Sequence, residues 1–139
     1  MKVAIVGGGV SGITLSILLA DFFDVTVCEK NNRILKKLLV TGNGRCNFSN
    51  EVMTRENFHG NYKFLDEFIK SADLRAGEKF LKSIGIVSTT DERGRKYPMS
   101  FQANSVVDAY LSAVSEKNIS IKLDTDVKDI ALKNNKFII

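Results

Sequence analysis

The chain has no tryptophan, one proline (Pro98), one histidine (His59) and two cysteines (Cys28 and Cys46) among its 139 residues. One histidine gives a histidine-based metal centre or a Ser-His-Asp triad little to work with. His59 is therefore expected in a loop or at the surface, and no metal site is expected. The two cysteines have no metal-ligand spacing and suit a reducing compartment. No apolar run is long enough to span a bilayer, and Met1-Lys2 leads straight into Val3–Val6 and glycines. The long apolar region and cleavage site of a secreted chain are missing from that N-terminus. A cytoplasmic protein without a membrane partner is the expectation.

Charge of one sign is also scarce. The 20 basic and 16 acidic residues leave a formal charge of +4, too mild by itself to imply nucleic acid. The distribution says more. Lys30, Arg33, Lys36, Lys37 and Arg45 lie between positions 30 and 45 with no acid among them. Aromatics are not interleaved with these charges, which argues against single-stranded nucleic acid. A solvated basic loop and a seat for a small polyanion both remain open at this point. Apolar residues make up 44% and charged residues 26%, as in a soluble globular domain with its own core. The sequence shows no repeat, low-complexity segment or linker.

Lys2–Val6 (KVAIV) is a short β-branched run closed by glycines, expected as a strand buried on both faces. Ser11–Phe23 has the length and composition of a largely buried helix, and Val25–Glu29 returns to strand character. Strand, glycine turn, helix and strand in succession make a βαβ unit with parallel pairing. Farther on, Asn61–Ser71 and Asp73–Ile84 are expected helices with Phe64, Leu65, Phe68, Phe80, Leu81 and Ile84 inward, the second stopped by Gly85. Ile86–Thr89 and Lys96–Tyr97 flank Asp91-Glu92-Arg93-Gly94 as a hairpin. Ala103–Glu116 is an expected helix with Val106, Val107, Tyr110, Leu111 and Val114 on one side. Ile119–Leu123 is a strand, and Asp126–Leu132 pairs with Lys136–Ile139 across Asn134-Asn135.

Gly7-Gly8-Gly9-Val10-Ser11-Gly12 matches G-x-G-x-x-G, and each matching glycine has a physical task. Gly7 permits the tight turn out of the strand. Gly9 leaves room for a pyrophosphate against the backbone, and Gly12 lets the helix pack close to the sheet. The helix start at Val10 and Ser11 offers free N–H groups and a positive dipole end to phosphate. The motif alone is weak evidence, but it follows a strand and opens a helix. Glu29 then ends the next strand, where a carboxylate can accept the hydroxyls of an adenosine ribose. That carboxylate would repel a 2′-phosphate. Ser16 stands where alanine or glycine often faces the sheet in such folds. The expectation is dinucleotide binding on an α/β, Rossmann-type domain, with NAD and FAD both open.

The run Lys36–Asn50, KKLLVTGNGRCNFSN, combines turn glycines with an unusual density of donors. With VAIVGGGVSG, with Glu29-Lys30, with GRKYPMSFQANSVVDA at Gly94–Ala109 and with TDVKDI at Thr125–Ile130, it resembles the BaiN/YhiN-type bacterial FAD-dependent oxidoreductases over essentially all 139 residues. Leu35 departs from that pattern, which has a glycine just before the lysine pair. The resemblance implies a Rossmann-type FAD-binding domain and a flavin-dependent oxidoreductase, with NAD(P)H a candidate electron donor. It implies that Lys30, Lys36 and Lys37 lie near the pyrophosphate. Gly42 and Gly44 would wrap backbone around the ligand, and Arg45, Cys46 and Asn47 would face its ribityl and isoalloxazine end. In such folds the backbone at Val127 passes beside the adenine. Arg95, Tyr97 and Pro98 resemble a loop on the active-site side.

Arg45 could depress the Cys46 pKa, yet without a C-x-x-C partner Cys46 is better read as a packing or backbone residue. No residue is assigned as catalytic acid or base. The alternative function is a non-catalytic NAD- or FAD-binding module. The resemblance also implies that residues 1–139 are the N-terminal part of a FAD-binding domain, lacking a substrate domain and a final FAD segment. Lys2–Val6 would then be an apolar sheet edge through which the chain associates.

Overall fold

A computed structural model describes residues 1–60, 67 and 74–139. The expected helix Asn61–Ser71, with Phe64, Leu65 and Phe68, lies outside the described residues, Glu67 apart. The chain divides into two compact units, residues 1–39 with 110–139, and residues 40–109.

The first unit is built on a parallel sheet of β1 (Lys2–Val6), β2 (Asp24–Cys28) and β6 (Ser120–Lys122), in the order β1-β2-β6. The register runs Lys2↔Asp24 to Val6↔Cys28 on one side of β2 and Thr26↔Ser120 to Cys28↔Lys122 on the other. Val25 and Val27 are buried, as a central strand requires. β1 is not buried on both faces as expected. It is the edge strand, Ile5 alone is buried, and Val6 is 52% exposed.

Helix α1 spans Val10–Leu19, shorter than the expected Ser11–Phe23. Its last turn tightens at Ala20–Phe23, where the Phe22 and Phe23 N–H groups both donate to Leu19 O. Nor is α1 largely buried. Ile13, Ser16 and Ile17 face inward, while Leu15, Leu18 and Phe22 stand exposed at helical spacing. The Ser16 hydroxyl donates to Ile13 O at 2.7 Å, which lets a polar residue sit fully buried in the position noted as unusual.

The second unit holds an antiparallel sheet in the order β3 (Ser49–Asn50), β5 (Arg95–Pro98), β4 (Ser88–Thr90). The expected hairpin is present. Asp91 N–H donates to Arg95 O, Gly94 turns at φ +72°, and Asp91 takes Arg95 in an ion pair at 2.6 Å. Helix α2 (Leu74–Ser83) ends as expected at Gly85, φ +85°, with Gly85 N–H on Lys82 O and Ile86 N–H on Leu81 O. That bond pair is a Schellman closure.

Helix α3 has the expected bounds, Ala103–Glu116. Its buried positions are Ala103, Val106, Tyr110, Ala113 and Val114, whereas Leu111 is 44% exposed. The expected strand Asp126–Leu132 shrinks to β7 (Ala131–Lys133), which pairs with β8 (Lys136–Ile138). Asn134 and Asn135 both take positive φ in the two-residue turn, the conformation that favours asparagine in tight hairpins.

Candidate cofactor site

Leaving β1, the chain turns at Gly7 with φ +101°, a conformation only glycine takes without strain. Gly7 N–H donates to Cys28 O at 2.8 Å, so the turn is tied to the end of β2. A side chain at Gly12 would put its Cβ 2.1 Å from Gly7 O and 3.3 Å from Ile5. Close packing of helix on strand therefore requires that glycine. Gly9 differs: its φ is −72° and a Cβ there would meet nothing within 4 Å. Neither the backbone nor packing inside the protein demands glycine at this position. What its missing side chain leaves is open space at the start of α1. No side chain caps that helix end and its first turn carries no acid, so its leading N–H groups are left for solvent or a ligand. Val10 and Ser11 are exposed there.

Glu29 follows β2 directly, is buried at 7% exposure, and is held on both oxygens. Gly8 N–H donates to Oε2 at 2.6 Å, while Asn31 donates to Oε1 from its backbone N–H at 2.8 Å and from its side-chain amide. Burial alone would push the carboxyl pKa up. The hydrogen bonds from Asn31 and Gly8, with the Lys30 charge, outweigh it and hold the group below its ordinary 4.5.

A depressed folded-state pKa means that Glu29 contributes stability above the unfolded value, and that this contribution is lost as pH falls through the folded value. The parent is therefore expected to lose stability below pH 4.5 relative to Glu29→Gln. Their denaturant midpoints, compared across pH, should differ by a constant amount near neutrality and converge in acid. A pH-independent difference would take Glu29 out of this role.

Two residues here escaped the sequence reading. Gly8 was a free position in the fingerprint, yet a Cβ on it would lie 2.5 Å from Ile34 and 3.1 Å from Glu29. Its carbonyl also accepts the Leu35 N–H at 2.8 Å. Asn31 gave no signal beyond lying two residues after an acid. The segment after β6 is bonded to the same place: Thr125 N–H donates to Glu29 O and Asp124 N–H to Asn31 O. Val127, two residues on, is half-buried in a stretch that is not the strand expected there. Lys30 and Lys37 are exposed.

Leu35 resolves the departure noted in the sequence. It adopts φ +59°, the left-handed region in which a glycine would sit without strain, and its side chain is only 2% exposed.

Leu38–Gly44, where the chain passes from the first unit to the second, forms kinked 3-10 turns, with Gly42, Asn43 and Gly44 at φ +55°, +56° and +78°. A Cβ on Gly42 would meet Asn47 N at 2.4 Å, so this glycine serves the chain's own fold-back. Gly44 is open. Arg45 is exposed, and its guanidinium lies 5.1 Å from the centre of the Tyr97 ring, within cation-π range. Tyr97 is a core aromatic at 1% exposure, also approached by Arg95 at 5.8 Å.

Cys46 is a packing residue, as expected, and corrects only the direction of its pKa. It is 1% exposed, takes φ +59°, and donates its N–H to Thr41 O. Burial pushes its thiol pKa up, only partly offset by a hydrogen bond with the Thr41 side chain, so Arg45 does not depress it. Of the Arg45-Cys46-Asn47 run, Arg45 and Asn47 are exposed and the thiol is not. His59 is an exposed loop residue. Among the described residues no His, Cys, Asp and Glu cluster could hold a metal ion, and no helix is long and apolar enough to cross a membrane.

Residues 1–139 match the HI0933-like protein Rossmann domain from end to end. The chain belongs to that family. HI0933-like Rossmann domains are those of the BaiN/YhiN-type FAD-dependent oxidoreductases, the group that KLLVTGNGRCN resembles. A curated relative, the 3-dehydro-bile acid delta(4,6)-reductase of Clostridium scindens, is 32% identical over 99% of this HI0933-like chain. The chain spans 34% of that protein's length. Among solved structures, THI4 of Thermovibrio ammonificans is similar with a TM-score of 0.64 at 19% identity, over 98% of this chain and 44% of that one. An oxidoreductase from Methanosarcina mazei matches with a TM-score of 0.50 at 12% identity, over 99% of this chain and 54% of that one. At these identities the structural likenesses speak for the fold.

Proposed function

We propose that these residues are the FAD-binding portion of a flavin-dependent oxidoreductase, with Gly7, Gly9, Val10, Ser11 and Gly12 at the pyrophosphate and Glu29 at the adenosine ribose. The observation that carries this reading is the open space at Gly9, in front of an uncapped helix start and beside an ionised, buried Glu29. A pyrophosphate fits such a cradle, because backbone N–H groups and a dipole end meet it where no side chain intrudes. The acceptor oxygens of the ribose seat suit hydroxyl donors, and their negative charge repels phosphate. FAD, when bound, supplies the electron-transfer chemistry, while the protein binds and orients it.

In the same reading Lys30 and Lys37 balance the pyrophosphate charge, and the backbone at Val127 borders the adenine. Gly42, Gly44, Arg45 and Asn47 serve the flavin end, with Cys46 contributing backbone rather than thiol. NAD(P)H is the proposed electron donor, and the two free thiols, Cys28 and Cys46, suit a reducing cytoplasm.

The test is a flavin titration followed by absorbance and fluorescence. The parent should bind FAD. Glu29→Ala should bind it more weakly by about 1.5–3 kcal/mol, roughly 10- to 150-fold, the range for charge-assisted contacts. Equal affinity in the two proteins would remove Glu29 from the ribose. Saturable binding of NAD but not FAD would favour the non-catalytic nucleotide-binding reading instead.

A further inference from the structure

A carboxylate has about four acceptor sites, two on each oxygen. In Glu29 three are already occupied from within the protein. Oε1 takes both the Asn31 backbone N–H and the Asn31 side-chain amide, and Oε2 takes Gly8 N–H. One site is left, on Oε2. An adenosine ribose brings two neighbouring hydroxyl donors, so Glu29 as it stands satisfies one of them. The Asn31 amide that fills Oε1 carries its own acceptor, the carbonyl Oδ1, which has no partner among the described residues. Asn31 is half-buried, and its backbone carbonyl is fixed by Asp124 N–H at 3.2 Å. The amide is thus held at the carboxylate by bonds on either side of it.

We propose that the ribose diol is read by a Glu29–Asn31 pair, one hydroxyl donating to Glu29 Oε2 and the other to Asn31 Oδ1. Asn31 is then a specificity residue for ribose in its own right as well as a clamp on the carboxylate. This rests on the FAD reading given above. The alternative use of the same geometry is competition, in which the amide leaves Oε1 whenever ribose arrives. The two make opposite predictions for removal of the amide. If the amide competes with ribose, its removal tightens binding; if it accepts a ribose hydroxyl, its removal weakens binding.

The test uses bound FAD displaced by ADP, 2′-deoxy-ADP and 3′-deoxy-ADP, in the parent, Glu29→Ala, Asn31→Ala and Asn31→Leu. The last variant keeps approximate shape while removing both polar ends, and a thermal melt of each checks folding. The parent should prefer ADP by about 3- to 10-fold over the analogue lacking the hydroxyl on Asn31, the range for one neutral hydrogen bond, and by about 10-fold or more over the analogue lacking the hydroxyl on Glu29, where the acceptor is charged. Both Asn31 variants should bind ADP more weakly and lose the preference against one deoxy analogue while keeping it against the other. Retention of both preferences, or tighter ADP binding, overturns the pair. Loss of both together also overturns it, since Asn31 would then act only by positioning Glu29. A parent that binds no FAD at all defeats the underlying reading and the proposal with it, and that failure is seen before any variant is made.

Discussion

Gly9→Val is expected to fold like the parent and to lose FAD binding by more than about 100-fold, an energy of roughly 3 kcal/mol. The two halves of that result come from different features of one position. Gly9 has an ordinary extended backbone, and a Cβ would touch nothing within 4 Å, so a β-carbon there meets neither backbone strain nor a clash. The remaining cost is that of a poor helix N-cap, about 1 kcal/mol or less relative to glycine. The space that valine fills is the space a pyrophosphate must enter. Gly12→Val is the control with the opposite cause, because its Cβ would meet Gly7 O at 2.1 Å. It should lose both stability and FAD. Thermal melts and flavin titrations on the two variants separate a binding glycine from a packing glycine. A Gly9→Val protein that holds FAD as the parent does would show that no phosphate passes there.

The second large effect concerns Leu35. Truncating a side chain that is 2% exposed costs about 2–5 kcal/mol in a core, so Leu35→Ala should be strongly destabilised. Leu35→Gly loses the same packing and gains the freedom to hold φ +59°, worth about 1–2 kcal/mol. The extra freedom of an unfolded glycine takes back about 0.5–1 kcal/mol. Glycine should therefore be no worse than alanine here, a reversal of the order seen at right-handed positions. Denaturant midpoints decide it. A Leu35→Gly protein clearly less stable than Leu35→Ala would mean that the left-handed backbone costs leucine nothing. The sequence retains the side chain at the expense of the turn, because burial outweighs strain.

Most of the framework of the first unit was legible because its signals are local. Gly7 and Gly12 are dictated by a turn and a close approach, and Glu29 by its distance along the chain from the loop. The termination of α2 at Gly85 and the Asn134-Asn135 turn were readable for the same reason. What escaped depends on neighbours remote in sequence. Gly8 is fixed by Glu29 and Ile34, and the turn that aims Asn31 at the carboxylate is pinned by Asp124. Composition also overstated burial. Leu15, Leu18 and Leu111 are apolar residues on helix faces that β1, β2 and β6 do not cover, and β1 is apolar at a sheet edge. Cys46 was half legible: a packing role was readable from the missing partner cysteine, whereas the direction of its pKa follows from burial alone. Asp126–Ile130 has strand composition, but bonds from Asp124 and Thr125 to the Glu29–Asn31 turn divert the chain before a ladder can form.

The pairing of β2 with β6 carries a consequence for how the cofactor seat comes into being. β1, α1 and β2 are neighbours along the chain, whereas Thr26 meets Ser120 only after residues 40–109 have been spanned. The entropy of closing a loop grows only logarithmically with its length, about 0.6 kcal/mol per doubling. A whole compact unit can therefore sit between the two strands at small cost to equilibrium stability. Speed is affected more, since contacts distant in sequence slow folding. Glu29 N–H donates to Lys122 O and its carbonyl accepts from Thr125, so the backbone that presents the carboxylate is completed only by this late strand. The ribose seat is thus a product of chain closure. A nascent chain that has made β1, α1 and β2 has the Gly8 and Asn31 donors for the carboxylate long before it has the Lys122 and Thr125 bonds that fix the backbone bearing it.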